Sequence, residues 1–130
     1  MQRMITWLLV GAGGAIGSML RHGMNRIVLD GWPALRFPLA TLVVNVAGSC
    51  AFGVLTGLLA SNRLAVAPRW REFLFVGILG GFTTFSAFAG DVVLLSRNGL
   101  PAVAIANVLA NLVLAIGALY LGLWITLRSA

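Results

Sequence analysis

Apolar residues dominate four long stretches of the chain, and polar residues gather in the short gaps between them. The first stretch runs over about 4–29 and is interrupted by Arg21, His22 and Arg26. The second, about 37–60, and the fourth, about 102–127, carry no charged side chain. The third, about 73–96, holds Asp91 near its end. A hydrocarbon core of about 30 Å is crossed by about 20 helical residues. Each stretch is long enough, so the pattern predicts an all-α membrane protein: one four-helix transmembrane domain over residues 1–130. The gaps are punctuated as helix ends should be. Asp30-Gly31-Trp32-Pro33 reads as a turn, with Pro38 in the first turn of the second helix. Ser61-Asn62-Arg63 and Pro68 form the next connection. Arg97-Asn98-Gly99 ends the third helix, and Pro101 opens the fourth, where no backbone donor is needed.

Composition sharpens this picture. Of the 130 residues, 60% are hydrophobic and 9% are charged, against about 25% charged in an ordinary soluble domain. So few charges cannot cover a water-exposed surface of this size. The net charge is +6, and every basic residue is an arginine. These arginines sit singly or in small groups between apolar stretches. That spacing fits anchoring at phospholipid headgroups and leaves no basic face for nucleic acid. Trp7, Trp32, Trp70 and Trp124 fall near the expected interfaces, as an aromatic belt requires. Cys50 is the only cysteine, so no intrachain disulfide forms. The start, Arg3 before an apolar run, has the outline of a signal peptide, but three further spans follow and the segment is expected to stay as the first helix.

Orientation is weakly specified. The N-terminus, middle loop and C-terminus share one side and hold Arg3, Arg63, Arg69, Arg71 and Arg128. The other side holds Arg26, Arg36 and Arg97, with Arg21 close by. Near balance leaves two readings open: one fixed topology with the first side cytoplasmic, or insertion both ways and an antiparallel dimer.

Polar residues inside the spans carry the candidate chemistry. Thr41, Asn45 and Ser49 recur every fourth residue, hence on one helical face, and Asn107 and Asn111 repeat the spacing in the fourth span. An amide in lipid is costly without a partner, so these faces meet protein or water. They serve either as glue between helices or as uncharged donors along an ion path. In the third span, Gly80-Gly81-Phe82-Thr83-Thr84-Phe85-Ser86-Ala87-Phe88 is poor material for an unbroken helix. Either the helix kinks for packing, or it breaks and frees carbonyls that can coordinate a hard cation. Phe82, Phe85 and Phe88 are core filler, or they present electropositive ring edges to a small anion. Arg21 and Asp91, each near a helix end, are read as vestibule or scaffold residues. Three carboxylates far apart in sequence and a single His and Cys give no catalytic constellation, so no enzyme is expected. The Gly13/Gly17, Gly53/Gly57 and Gly77/Gly81 pairs predict only close helix packing.

Three segments together resemble the CrcB/Fluc fluoride channels of microbial membranes. They are Gly13-Gly14-Ala15-Ile16-Gly17-Ser18-Met19-Leu20-Arg21, Thr41-Leu42-Val43-Val44-Asn45-Val46-Ala47-Gly48 with Gly53, and Gly77 through Phe88. The last is the most specific. The resemblance implies a passive fluoride-selective channel that lowers cytoplasmic fluoride, built as a dual-topology homodimer with two parallel pathways in the bacterial inner membrane. It implies a structural Na⁺ at the dimer interface, held by the main-chain carbonyls of Gly80 and Thr83. It places Asn45, Phe85 and Phe88 on the fluoride route, with Asn111, Thr84 and Ser86 as polar companions. The sequence departs from the family pattern at Ala40, Ala87, Asn111 and Ala115. A small multidrug-type transporter is also a four-helix protein, but it needs a carboxylate within its first helix, and residues 4–29 have none. A non-transporting assembly subunit is the other alternative.

Overall fold

The computed structural model describes residues 1–128. The elements are α1 (Gln2–Gly31), α2 (Leu39–Ala60), α3 (Pro68–Glu72), a π-helical segment (Phe73–Leu79), α4 (Gly80–Phe82), α5 (Phe85–Arg97) and α6 (Pro101–Arg128). From α3 to α5 the chain forms one span, Pro68–Arg97, and with α1, α2 and α6 gives four stretches long and apolar enough to cross a membrane. The spans exceed the apolar runs at most ends, because a helix continues into interfacial residues until a cap stops it. The third starts at Pro68, where proline's missing N–H costs nothing in the first turn. The second starts later than expected: Pro38 is the N-cap with ψ 64°, outside the helix.

Two of the helix ends are set by left-handed residues. Asn62 (φ 56°) follows α2 and Gly99 (φ 75°) follows α5. In each case two backbone N–H groups turn back onto the last helical carbonyls: Arg63 to Leu58 at 3.0 Å and Asn62 to Leu59 at 3.2 Å, then Leu100 to Leu95 at 2.9 Å and Gly99 to Ser96 at 3.3 Å. Arg63 also donates to the carbonyl of Thr126 at 2.9 Å, tying the loop after α2 to the end of α6.

Glycines set the helix pairs. A Cβ at Gly13 would meet the Phe73 carbonyl at 2.7 Å, and one at Gly81 would meet the Gly14 carbonyl at 2.6 Å. A Cβ at Gly17 would collide with the Ile78 carbonyl. On the other side, Gly53 abuts the Leu119 carbonyl and Gly57 abuts the Thr126 hydroxyl. In both pairs the contact numbers rise together, so α1 runs parallel to the third span and α2 runs parallel to α6. Backbones approach this closely only where a side chain is missing, and in lipid such packing replaces the absent hydrophobic drive between helices. The outward faces stay apolar: Trp7, Met19 and Tyr120 are exposed, an arrangement suited to lipid.

Within the third span the backbone leaves helical geometry at two residues. Thr83 (φ −77°, ψ 157°) and Thr84 (φ −150°, ψ 117°) are extended. The wide turns of the π-helical segment lie just before them, with the Gly80 N–H reaching back to the Phe75 carbonyl.

Candidate functional site

A cleft of about 420 Å³ opens beside the extended pair, lined from α2, the third span and α6. Gly80, Thr83, Thr84, Phe85, Phe88, Asn45 and Asn111 all line it. Residues far apart in sequence therefore converge on one surface. Ser86 does not line it: its side chain is exposed, and its hydroxyl lies 3.4 Å from that of Thr84. Arg21 and Asp91 are also outside the lining.

A chain of amides holds the floor of the cleft. The Thr84 N–H donates to Asn45 Oδ1 at 2.9 Å. Because that backbone donor must meet an oxygen, it fixes which way the Asn45 amide faces. Asn45 Nδ2 then donates to the Thr84 carbonyl at 3.2 Å and to Asn111 Oδ1 at 3.0 Å. Asn111 Nδ2 in turn donates to Asn107, to its carbonyl at 3.1 Å and its Oδ1 at 2.8 Å. Asn107 is fully buried, and its own Nδ2 has no partner among the described residues. Its side chain bonds within α6, so it orients Asn111 instead of joining two helices.

The same bonds release two carbonyls. In an unbroken helix the Thr84 N–H would donate to Gly80 and the Ala87 N–H to Thr83. Here the first goes to Asn45 and the second, at 3.2 Å, to the Thr84 hydroxyl, which caps α5. The Gly80 and Thr83 carbonyls thus lose their helical donors, and both residues line the cleft. Gly80 is exposed and Thr83 half-buried, so these oxygens are open to a partner from outside the chain. Among the described residues no group of three or more His, Cys, Asp or Glu side chains is placed to hold a metal.

Two aromatic pairs border the cleft. The Phe85 and Phe88 rings lie 5.5 Å apart, tilted by 59°. Phe88 is 8% exposed, Phe85 78%. The second pair, Phe52 and Phe75, meets edge to face at 4.7 Å and 77°. This pair joins α2 to the π-helical segment, and no periodicity along either stretch marks it. A hydrophobic run hides a cleft-lining phenylalanine among its neighbours, and only the pairing distinguishes it. Ser49 also lines the cleft, one turn beyond Asn45 on the same face of α2.

Asp91 belongs to a second cleft, of about 350 Å³, near the C-terminal ends of α1 and α5 and the start of α2. Its carboxylate accepts the Thr41 hydroxyl at 2.7 Å, cross-linking α5 to α2. Arg36 and Asn98 border it as well. Arg21, half-buried on α1, lines neither cleft.

The profile of the family described as "CrcB-like protein, Camphor Resistance (CrcB)" matches residues 8–123. A protein of Rhodospirillum centenum named fluoride-specific ion channel FluC is 46% identical over 89% of this chain and 90% of its own length. Proteins of the same name from Erythrobacter litoralis and Hyphomonas neptunium are 46% and 43% identical, over 92% and 94% of this chain and 90% and 95% of theirs. The range matched by the family profile takes in the positions that line the main cleft and at least part of each span. The chain therefore belongs to the CrcB-like family, as a multi-pass membrane protein whose named relatives are ion channels and not enzymes.

Proposed function

We propose that this chain is a passive, fluoride-selective ion channel that lowers cytoplasmic fluoride across the bacterial inner membrane. The observation that carries the reading is the main cleft itself: aromatic rings, hydroxyls and oriented amides, with no charged side chain in the lining, inside a chain nearly half identical to proteins named fluoride channels. Fluoride holds water strongly, so a path must replace that hydration with close donors while excluding larger anions. Neutral polar groups can replace that water without a fixed positive charge, which would hold the anion too firmly for conduction. The edges of Phe85 and Phe88 add a weak electropositive border. Arg21 raises the local anion concentration near a mouth of the path, and Asp91, bound to Thr41, braces α5 against α2. A negative cell interior drives the anion outward without an energy source.

The same proposal includes an antiparallel homodimer. Phe85 is 78% exposed in one chain although it borders the cleft. A second copy would supply the missing wall, and near-balanced arginines allow it to insert the other way. The break at Thr83 and Thr84 supports a structural Na⁺ between the copies. Two carbonyls from each, Gly80 and Thr83, would give four oxygens, the ligand type a hard cation prefers. Bound there, the ion would compensate the carbonyls that the amide chain leaves without donors.

The test is ion release from liposomes loaded with fluoride or chloride, read by selective electrodes. Rapid fluoride release with no comparable chloride release is expected, and equal release of both would end the fluoride reading. Flux after dialysis into sodium-free buffer should fall. Unchanged flux there would remove the sodium site and leave the channel reading intact.

A further inference from the structure

Fluoride passing through the main cleft needs hydrogens to face, and most of the donors there are already committed. Five polar side chains line the cleft: Asn45, Ser49, Thr83, Thr84 and Asn111. Both hydrogens of Asn45 Nδ2 go to Thr84 and Asn111, and both of Asn111 Nδ2 go to Asn107. The Thr83 hydroxyl donates to the Leu79 carbonyl at 2.9 Å. The Thr84 hydroxyl receives the Ala87 N–H and pairs with Ser86. The Ser49 hydroxyl makes no hydrogen bond among the described residues.

That freedom is unusual for a hydroxyl in a membrane helix, which ordinarily returns its proton to the carbonyl four residues back. Thr56, Ser61, Ser96 and Thr126 all do so in this chain. Ser49 does not, and it is half-buried on the cleft wall. Its place is ordered. Asn45 lies one turn before it, and Phe52, half of the edge-to-face pair with Phe75, lies three residues after it on the same face. A small anion moving along α2 from the amides to this second aromatic pair passes the Ser49 hydroxyl.

We propose that Ser49 is a fluoride-contacting residue, donating its O–H to the ion between the Asn45 amide and the Phe52–Phe75 pair. The amide chain then acts chiefly as the rigid floor, and the hydroxyl supplies the mobile donor. This inference rests on the channel reading. An O–H to a desolvated anion is a charge-assisted bond, and losing it slows passage by about tenfold or more.

The experiment compares full-length wild type, Ser49→Ala, Ser49→Thr, Ser49→Cys and Ser18→Ala in fluoride-loaded liposomes. Ser18 is exposed on α1 and outside the cleft. Gel filtration in detergent reports folding. Ser49→Ala should release fluoride about tenfold more slowly or worse, with Ser49→Thr and Ser18→Ala close to wild type. Ala and wild type conducting alike would overturn the proposal, as would equal slowing by Ala and Thr, which would mark a packing role. Should Ser49→Ala elute as aggregate, Ser49→Cys decides: the thiol fills the same space but donates weakly, so slow release supports the proposal and wild-type release overturns it. Wild type that releases no fluoride defeats the channel reading itself, an outcome separate from all of these.

Discussion

Asn45 has a side chain with one acceptor oxygen and two donor hydrogens, and the structure uses all three. It satisfies the N–H of Thr84, replacing the helical partner that the extended backbone gives up, and it adds a donor to the Thr84 carbonyl, which as N-cap already accepts the first bond of α5. Without this amide the Thr84 N–H and Asn111 Oδ1 would lose their partner at membrane depth. Asn45→Ala is therefore expected to destabilise the protein by about 2–4 kcal/mol as well as to slow fluoride release, since more than one buried group loses its partner. Thermal unfolding in detergent measures the first effect, and a midpoint equal to that of wild type would show that water replaces the amide. Serine at position 49 offers the contrast: it satisfies nothing internal, so its loss should cost conduction and little stability.

At the scale of elements, small residues decide which helices touch. Gly17 sits against backbone atoms of Ile78 and Phe82, whereas a Cβ at Gly23 on the same helix meets nothing within 4 Å. Gly17→Ala must push α1 from the third span, an overpacking expected to cost about 1–3 kcal/mol or more because the obstacle is main chain and cannot rotate away. Gly23→Ala should be neutral or stabilising by about 0.5–1 kcal/mol, the ordinary gain of alanine over glycine in a helix. Denaturation monitored by tryptophan fluorescence separates the two, and equal midpoints would contradict the packing described here. The third span shows the same logic in reverse. Its Gly80 is free of close contacts, with only the Phe75 carbonyl at 3.6 Å. Its dihedrals are ordinary helical ones (φ −64°, ψ −36°), so within one copy neither the backbone nor helix packing requires glycine there.

For the whole molecule, the surface is apolar on its outer faces and the cleft opens on one of them. A single copy in lipid would expose the bordering Phe85 and the freed carbonyls of Gly80 and Thr83 to hydrocarbon, where unpaired backbone is most costly. The proposed second copy, covering that face, would remove both exposures. In a Cys50→Ala background, a single cysteine introduced on the N-terminal side should react with impermeant reagent from both faces of native membranes, each in about half of the molecules, if the copies are antiparallel as the near-balanced arginines allow. Labelling from one face alone would rule out the antiparallel arrangement while leaving a parallel pair open to cross-linking analysis.

Much of this was written in the linear order of residues. Four apolar runs of membrane length determine four spans, because backbone in lipid must bond within its own segment. The tripeptide ends at Asn62 and Gly99 determine where two of them stop, because few residues accept a positive φ. The four-residue spacing of Thr41, Asn45 and Ser49 determines a polar face on the second span, and Gly80-Gly81 with Thr83-Thr84 marks where the third is least able to stay helical. What spacing could not decide was partnership. A period of four says that Asn107 and Asn111 share a face, but only the packing of α6 beside α2 makes Asn111 the acceptor of Asn45 and buries Asn107 behind it. Ser86 follows the extended pair in sequence yet faces away from the cleft, since the turn of α5 carries it outward. Phe52 and Phe75 were indistinguishable from other apolar residues until the tertiary structure set their rings edge to face. Periodicity is a property of one helix; the choice of which donor meets which acceptor depends on the register between helices, and here that register is set by backbone contacts at glycines that carry no side-chain signal of their own.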